Sequence, residues 1–302
     1  MEPSEPESSP AREDAQPESD AVNSPTSIKA KPIALLQDDT LDDAAAAIFS
    51  ASLEHFLGNV PLLPTASAPE SVHQMRVALR RLRAAIGLFR PTIEGPALET
   101  ARDRAKTLAS TLGAARDWDV FGAALKSGVA KAIGDDPSFH ALTDTLESLR
   151  ENAYRAAHEA VSSDDTSRFV DDLRLAIERR DWDTEPEMRA PGSARSFADH
   201  ALTRLHKRLL KKSKGLATLS AEERHLVRIA LKKVRYGAEF FESLFDDGKA
   251  ARAYLHALAD MQDQLGVFND MEVANGLLDQ IEAQTPQAAR ASSFVRGWFA
   301  HA

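Results

Sequence analysis

The sequence predicts an all-α fold built from two related helical halves. Three observations carry this. Aromatic residues are only 6% of a chain that is 43% hydrophobic, with alanine and leucine supplying much of the apolar content, a balance that favours helices over sheets. From Leu41 onward apolar residues recur at helical spacing, and no period-2 alternation stands out, so no sheet is expected. Finally, two segments about 150 residues apart match one another in register.

Residues 1–31 are rich in Pro, Ser and Glu and poor in large apolar side chains. Such a segment cannot bury enough surface to offset its ordering entropy, and the sequence predicts a disordered acidic tail there. It contributes much of the formal net charge of -9, so the total misdescribes the folded part. It has neither a basic start nor an apolar stretch, and so does not read as a signal peptide. "AAAAIFSA" is too short to span a membrane. The expected setting is the cytoplasm, with no membrane partner. The absence of cysteine excludes disulfides, thiolate zinc sites and cysteine nucleophiles.

The folded region is expected over residues 41–302, its first half at about 41–183 and its second at about 195–302. "LDDAAAAIFSASLEHFLGNV" reads as the first helix. A loop follows, and Ser67 to Glu70 forms a capping box into the next helix, which Pro91 ends. "ALETARDRAKTLASTLG" reads as a third helix, with Gly113 near its end and Asp117 able to cap a further one. Helices then follow over Ser138 to Ser162 and Asp165 to Trp182. "TEPEMRAPGSARS", at about 184–196, is the expected boundary. Beyond it come "SFADHALTRLHKRLLKKSKGL", a second capping box at Ser220 to Glu223, the helix holding His225, and three more helices ending near Trp298.

The repeat shows when His73 is set on His225. Arg76 then meets Arg228, Leu79 meets Leu231, and Arg80 with Arg81 meets Lys232 with Lys233. Arg83 meets Arg235, and Phe89 meets Phe241. Farther on, "LGAARDWDVF" matches "LGVFNDMEVA", pairing Asp117 with Asp270 after one inserted residue.

Each matched helix separates charge from apolar surface. His73, Arg76, Arg80 and Arg83 fall within a sector of about 80° at helical periodicity. Met75, Leu79, Leu82, Ile86 and Phe89 take the other side. His225, Arg228, Lys232 and Arg235 oppose Val227, Leu231, Val234 and Phe241 in the same way. Arg81 and Lys233 lie off the stripe. A further set, Arg204, Lys207, Arg208, Lys211 and Lys214, shares one face of the helix that opens the second half.

A charged helix face is usually a solvated one, but it normally mixes signs, because like charges at these spacings repel by about a few tenths of a kcal/mol per pair. Stripes with no acid inside them, present in two copies, point instead to an anion that neutralises them. Guanidinium presents paired donors that match phosphate oxygens, so phosphate is the indicated ligand class. The histidines either hydrogen-bond their neighbours or meet the phosphate directly. Asp117 and Asp270 either cap helices or hold stripe arginines in place.

"HQMRVALRRLR" with "LGAARDWDVF", repeated more weakly as "HLVRIALKKVRY" with "LGVFNDMEVA", resembles the CHAD (conserved histidine α-helical domain) family. The resemblance spans about residues 40–302. It implies two four-helix bundles related by a pseudo-twofold axis, with a basic central surface or pore that binds inorganic polyphosphate, and an association with polyphosphate granules. It implies no cofactor. Carried over by position, the ligand-facing residues are His73, Arg76, Arg80 and Arg83, then His225, Arg228, Lys232 and Arg235, with Arg81 and Lys233 matching the motif. Lysine at 232 and 233 departs from the arginines of the first copy, keeping charge while losing paired-donor geometry.

Three other functions would make different demands on the sequence. A phosphohydrolase or phosphotransferase would need a metal cluster or an activated nucleophile, and no H-E-x-x-H, Walker loop or glycine-rich cradle occurs. A nucleic-acid reader would need base-edge donors or stacking aromatics, for which Gln74 and Tyr236 are meagre material. A helical scaffold could hold acidic protein segments, including the chain's own acidic tail.

Overall fold

The computed structural model describes residues 27–63, 69–245 and 248–301, with only the backbone of 267–270 and of His301. The expected tail up to residue 26, the start of the capping box at Ser67 and the Asp270 side chain lie outside the described residues.

The fold is all-α. Helix α1 (Leu41–Asn59) starts at Thr40, whose side chain accepts from the Asp43 N–H. Helix α2 (Pro69–Phe89) carries the first stripe. Helix α3 (Pro96–Ala124) continues through a π turn at Leu125–Val129 into the short α4 (Ala130–Ile133). Helix α5 (Pro137–Val161) is capped by Asp136, and α6 (Asp164–Arg179) by Ser163. After an irregular stretch come α7 (Ser193–Lys212) and α8 (Ala221–Phe241), and α8 begins with the expected Ser220–Glu223 capping box. Helices α9 (Gly248–Gln264), α10 (Gly266–Gln284) and α11 (Ala289–His301) complete the chain.

Three expectations are corrected. Gly113 does not end a helix and Asp117 does not cap one, because α3 runs unbroken across both. A glycine inside a helix costs about 1 kcal/mol against alanine, which a long packed helix tolerates. Secondly, a short antiparallel pair exists where no sheet was expected: β1 (Ile93–Glu94) pairs with β2 (Asp183–Thr184). It is held by Asp42 of α1, which accepts from Trp182 Nε1 at 2.9 Å and Thr184 Oγ1 at 2.6 Å. Lastly, the expected tail ends before residue 31. The Ile28 N–H donates to Asn59 Oδ1 at 2.9 Å, and Asn59 Nδ2 donates back to the Ile28 carbonyl at 2.8 Å. From there the chain runs as an extended strap. Ile33 and Leu35 are buried, the Leu35 N–H donates to Ser243 Oγ at 2.8 Å, and Gln37 Nε2 donates to the Leu244 carbonyl at 2.7 Å.

The apolar interior does not divide at residues 184–196. One large cluster joins α1, α2, the first part of α3 and α6 with α7, α8 and Leu258 of α9. A smaller cluster joins the far end of α3 and the start of α5 to α10 and α11. At the centre of the large cluster Phe89 makes three ring contacts: Phe241 at 6.0 Å, Phe197 at 5.1 Å and Phe49 at 5.7 Å between centroids. Phe89 and Phe241 are the residues that the repeat matches to each other, and here they touch. Each such pair contributes about 0.5–1.5 kcal/mol beyond its buried area.

This hub gives a direct test. Phe241→Ala should destabilise the protein by about 3–5 kcal/mol, read as a lowered urea midpoint at unchanged m-value. Phe294→Ala, at a 40% exposed position, should cost about 0.5 kcal/mol or less. Equal effects at the two positions would remove the hub from the account.

Candidate functional site

Helix α2 buries Val72, Met75, Leu79, Leu82, Ile86 and Phe89, and α8 buries Val227, Leu231, Val234 and Phe241. With those faces committed to the core, the cationic faces must turn outward. They turn toward one another. His73, Arg76 and Arg80 from α2 and His225, Arg228 and Lys232 from α8 line a single cleft of about 630 Å³. Its remaining wall is apolar and comes from elsewhere: Val120, Phe121 and Ala124 of α3, Met271 and Ala274 of α10, and Phe299 of α11. A cleft lined mainly by cations, with apolar walls, concentrates the field inside it.

Two residues shape the cleft in ways that the sequence reading did not find. Arg116 lines it next to Asp117 and acts electrostatically on both His73 and Arg76. It stands inside the quoted "LGAARDWDVF" segment, one place before the aspartate, and could have been found there. The other is Gly113. A Cβ at this position would stand 3.3 Å from Arg76 Nε, so the bare backbone of α3 is what lets the guanidinium lie across it. Asp117 is 4.0 Å from Arg76 Nη1, which decides between its two expected roles: it holds a stripe arginine.

The other expected site residues are distributed differently. Arg83 and Arg235 continue the stripes beyond the cleft lining. Arg235 pairs with Glu239 at 3.2 Å. Arg81 is turned away: it is buried, its guanidinium donates to the other oxygen of Glu239, and it stacks 5.0 Å from the Phe240 ring centroid. Its place is between α2 and α8, not in the cleft. Glu239 thus joins both helices through one carboxylate, just past the end of the acid-free stripe. Lys233, Arg204, Lys207, Arg208 and Lys211 are solvent-exposed and do not line the cleft. On α7 the buried positions Ala201, Leu205 and Leu209 face the core, and the cations stand on the far side of the helix from them.

The cationic groups crowd one another. Burial and the Arg80 charge push Arg76 below the usual guanidinium range, with Asp117 opposing. Burial, Arg116, Arg80 and Arg76 hold His73 below the ordinary imidazole range, so it is neutral at pH 7. Lys232 is affected most: burial, then Arg228, Arg80, Arg76 and Arg235, lower it from 10.5 to about 8. Charges from both helices act on this one amine. Among the described residues Arg80 Nε and Arg83 Nε are buried with no hydrogen-bond partner. An unmet buried donor costs about 1–3 kcal/mol, and of these two Arg80 belongs to the cleft lining. No group of three or more His, Cys, Asp or Glu that could hold a metal occurs among the described residues.

With this geometry established, similar proteins can be compared. The CHAD domain profile matches residues 47–279. The structure is similar to the crystal structure of the CHAD domain from the plant Ricinus communis, with a TM-score of 0.79 and 34% identity over 91% of this chain and 90% of that one. It also shares its fold with PptA from Streptomyces chartreusis, at a TM-score of 0.62 and 16% identity over 87% of this chain and 100% of that one. No curated protein matches.

The crowding at Lys232 has a measurable consequence. Its folded-state value lies below the unfolded one, so between about pH 8 and about pH 10.5 the unfolded chain binds more protons and stability rises with pH. Lys232→Met should therefore stabilise the ligand-free protein at pH 7, by about 1 kcal/mol after discounting for solvent screening. The gain should fade as pH approaches 10.5. Denaturant midpoints of both proteins across this range measure it, and a gain independent of pH would contradict the electrostatic cause.

Proposed function

This chain belongs to the CHAD domain family, a family associated with polyphosphate, and from that premise we propose that its cleft binds inorganic polyphosphate as a polyanion without turning it over. The observation that carries this reading is the convergence of His73, Arg76 and Arg80 with His225, Arg228 and Lys232 on one surface. Two separated basic faces would bind two anions independently; facing stripes bind one chain that touches both. The arginines supply paired donors to successive phosphates, lysine adds charge, and the histidines add single donors.

Several properties of the cleft support binding rather than phosphoryl transfer. Among its described lining residues Asp117 is the only carboxylate, and it is engaged with Arg76. A general base or a metal ligand would need an acid that is not so engaged. The repeating charge suits a repeating ligand, because each added phosphate can displace further counterions. Among the described residues no helix is long and apolar enough to cross a membrane; the polyphosphate itself would set where the protein resides, including at granules. The exposed cations of α7 would add long-range attraction without forming part of the cleft.

Reversing the charge at two positions, Arg76→Glu with Arg80→Glu, should abolish retention on immobilised polyphosphate while the urea midpoint stays near the parent value. Affinity of the parent should fall steeply with salt, with a log–log slope of about 0.7 per phosphate neutralised, by analogy with single-stranded nucleic acid. Full retention by the reversed protein would refute the cleft as the site. In a separate assay, end-labelled polyphosphate incubated with the protein and magnesium should remain intact; release of labelled phosphate would show turnover and overturn the binding-only reading.

A further inference from the structure

Among the described residues, Lys232 is the one lysine that lines a cleft whose other cations are arginines. Its partner in the repeat is Arg80, which lines the same cleft. The two side chains differ in chemistry as well as shape. A guanidinium stays charged at every attainable pH, whereas an amine can lose its proton and become a nucleophile. Lys232 is half-buried, and the charges that act on it most are all cationic: Arg228 and Arg235 on its own helix and Arg76 and Arg80 on α2. Among the described residues, Asp117 of α3 meets Arg76 and Glu239 of α8 meets Arg81 and Arg235. The amine thus stands among guanidinium groups, and among the described residues it has no carboxylate partner.

We propose that Lys232 is an acyl-acceptor site, at which small acyl phosphates bind through their phosphate to the cleft arginines and transfer their acyl group to Nζ. This rests on the polyanion reading of the cleft. An acyl phosphate combines the anion that guanidinium selects with an electrophilic carbon joined to it through a single oxygen. In the step, the neutral amine attacks the carbonyl carbon and a C–N bond forms. The bond from that carbon to the phosphate oxygen breaks, and phosphate leaves with the bonding electron pair. The proton displaced from nitrogen passes to solvent. No oxidant or further reactant is required. The resulting amide is uncharged, so the cleft loses one cation and grips a polyanion less tightly. Lys207, Lys211 and Lys233 are exposed and lie outside the cleft; they serve as internal controls within the same molecule.

The test uses the full chain with acetyl phosphate at pH 8, and with acetic anhydride as a donor that lacks the phosphate. Peptide mass spectrometry follows acetylation at each lysine over time. With acetyl phosphate, Lys232 should react about 10-fold or more ahead of Lys207, Lys211 and Lys233, as expected when one reactant is held beside the other. That lead should shrink with acetic anhydride. Excess pyrophosphate should remove it, which keeps the test decisive if arginine variants prove unstable. Protein acetylated at Lys232 should also leave a polyphosphate resin at lower salt. Equal rates at the four lysines, or an equal lead with both donors, would overturn the proposal. If the unmodified protein is still retained on polyphosphate in those cases, the acyl-acceptor site fails alone; if retention is lost too, the underlying reading fails with it.

Discussion

The contact between Phe89 and Phe241, 6.0 Å apart and enclosed by Phe49 and Phe197, is what the rest of the arrangement depends on. Two helices whose outer faces are strongly cationic repel each other, and they would drift apart if charge alone decided. The apolar hub at their C-terminal ends fixes them against that repulsion. Burying an aromatic side chain is worth about 1.5–3 kcal/mol. Like-charge pairs between partly solvated groups cost a fraction of that each. The closed core therefore wins, and the cost appears locally, as a lysine driven to about 8 and guanidinium nitrogens left without partners.

Glu239 manages that cost at one point. Its two oxygens meet Arg81 from α2 and Arg235 from α8, neutralising the two cations nearest the core. Removing it would leave Arg81 buried beside Phe240 with no counter-ion, an arrangement that costs more than the pair contributes. Farther along the stripes, among the described residues, Asp117 is the one carboxylate that lines the cleft, in loose contact with Arg76. An arginine of the interior and an arginine of the cleft can thus be neighbours in sequence. Arg80 and Arg81 differ by about 100° around the helix, enough to place one in the cleft and the other in the interior.

How much of this was legible in the sequence follows from which features are local. Helical periodicity, the Ser220–Glu223 cap and the two stripes are written within single turns, and each appears where expected. The register match of Phe89 with Phe241 identified the residues that meet at the hub, although not that they meet. What pattern could not supply was tertiary. Gly113 reads as a breaker by composition and serves as a gap for Arg76; Asp117 reads as a cap and serves as a counter-charge. Arg81 matches the motif as well as Arg80 does, and only packing separates them. The α7 cations form a stripe as regular as the other two, yet they face away from the cleft because Leu205 and Leu209 are drawn to the core. The wall contributed by α10 and α11 joins segments more than 100 residues apart, which no local signal encodes.

The strap over residues 27–40 imposes an order on how the molecule is completed. Its hydrogen bonds to Ser243 and Leu244 connect residues 208 and 207 positions apart. A chain made from its N-terminus exposes Ile33 and Leu35 long before α8 has left the ribosome, and these side chains have no other seat in the structure. The first segment synthesised is therefore among the last to settle, and until the final third of the chain emerges the seam beside α1 stays open to whatever binds nascent apolar sequence.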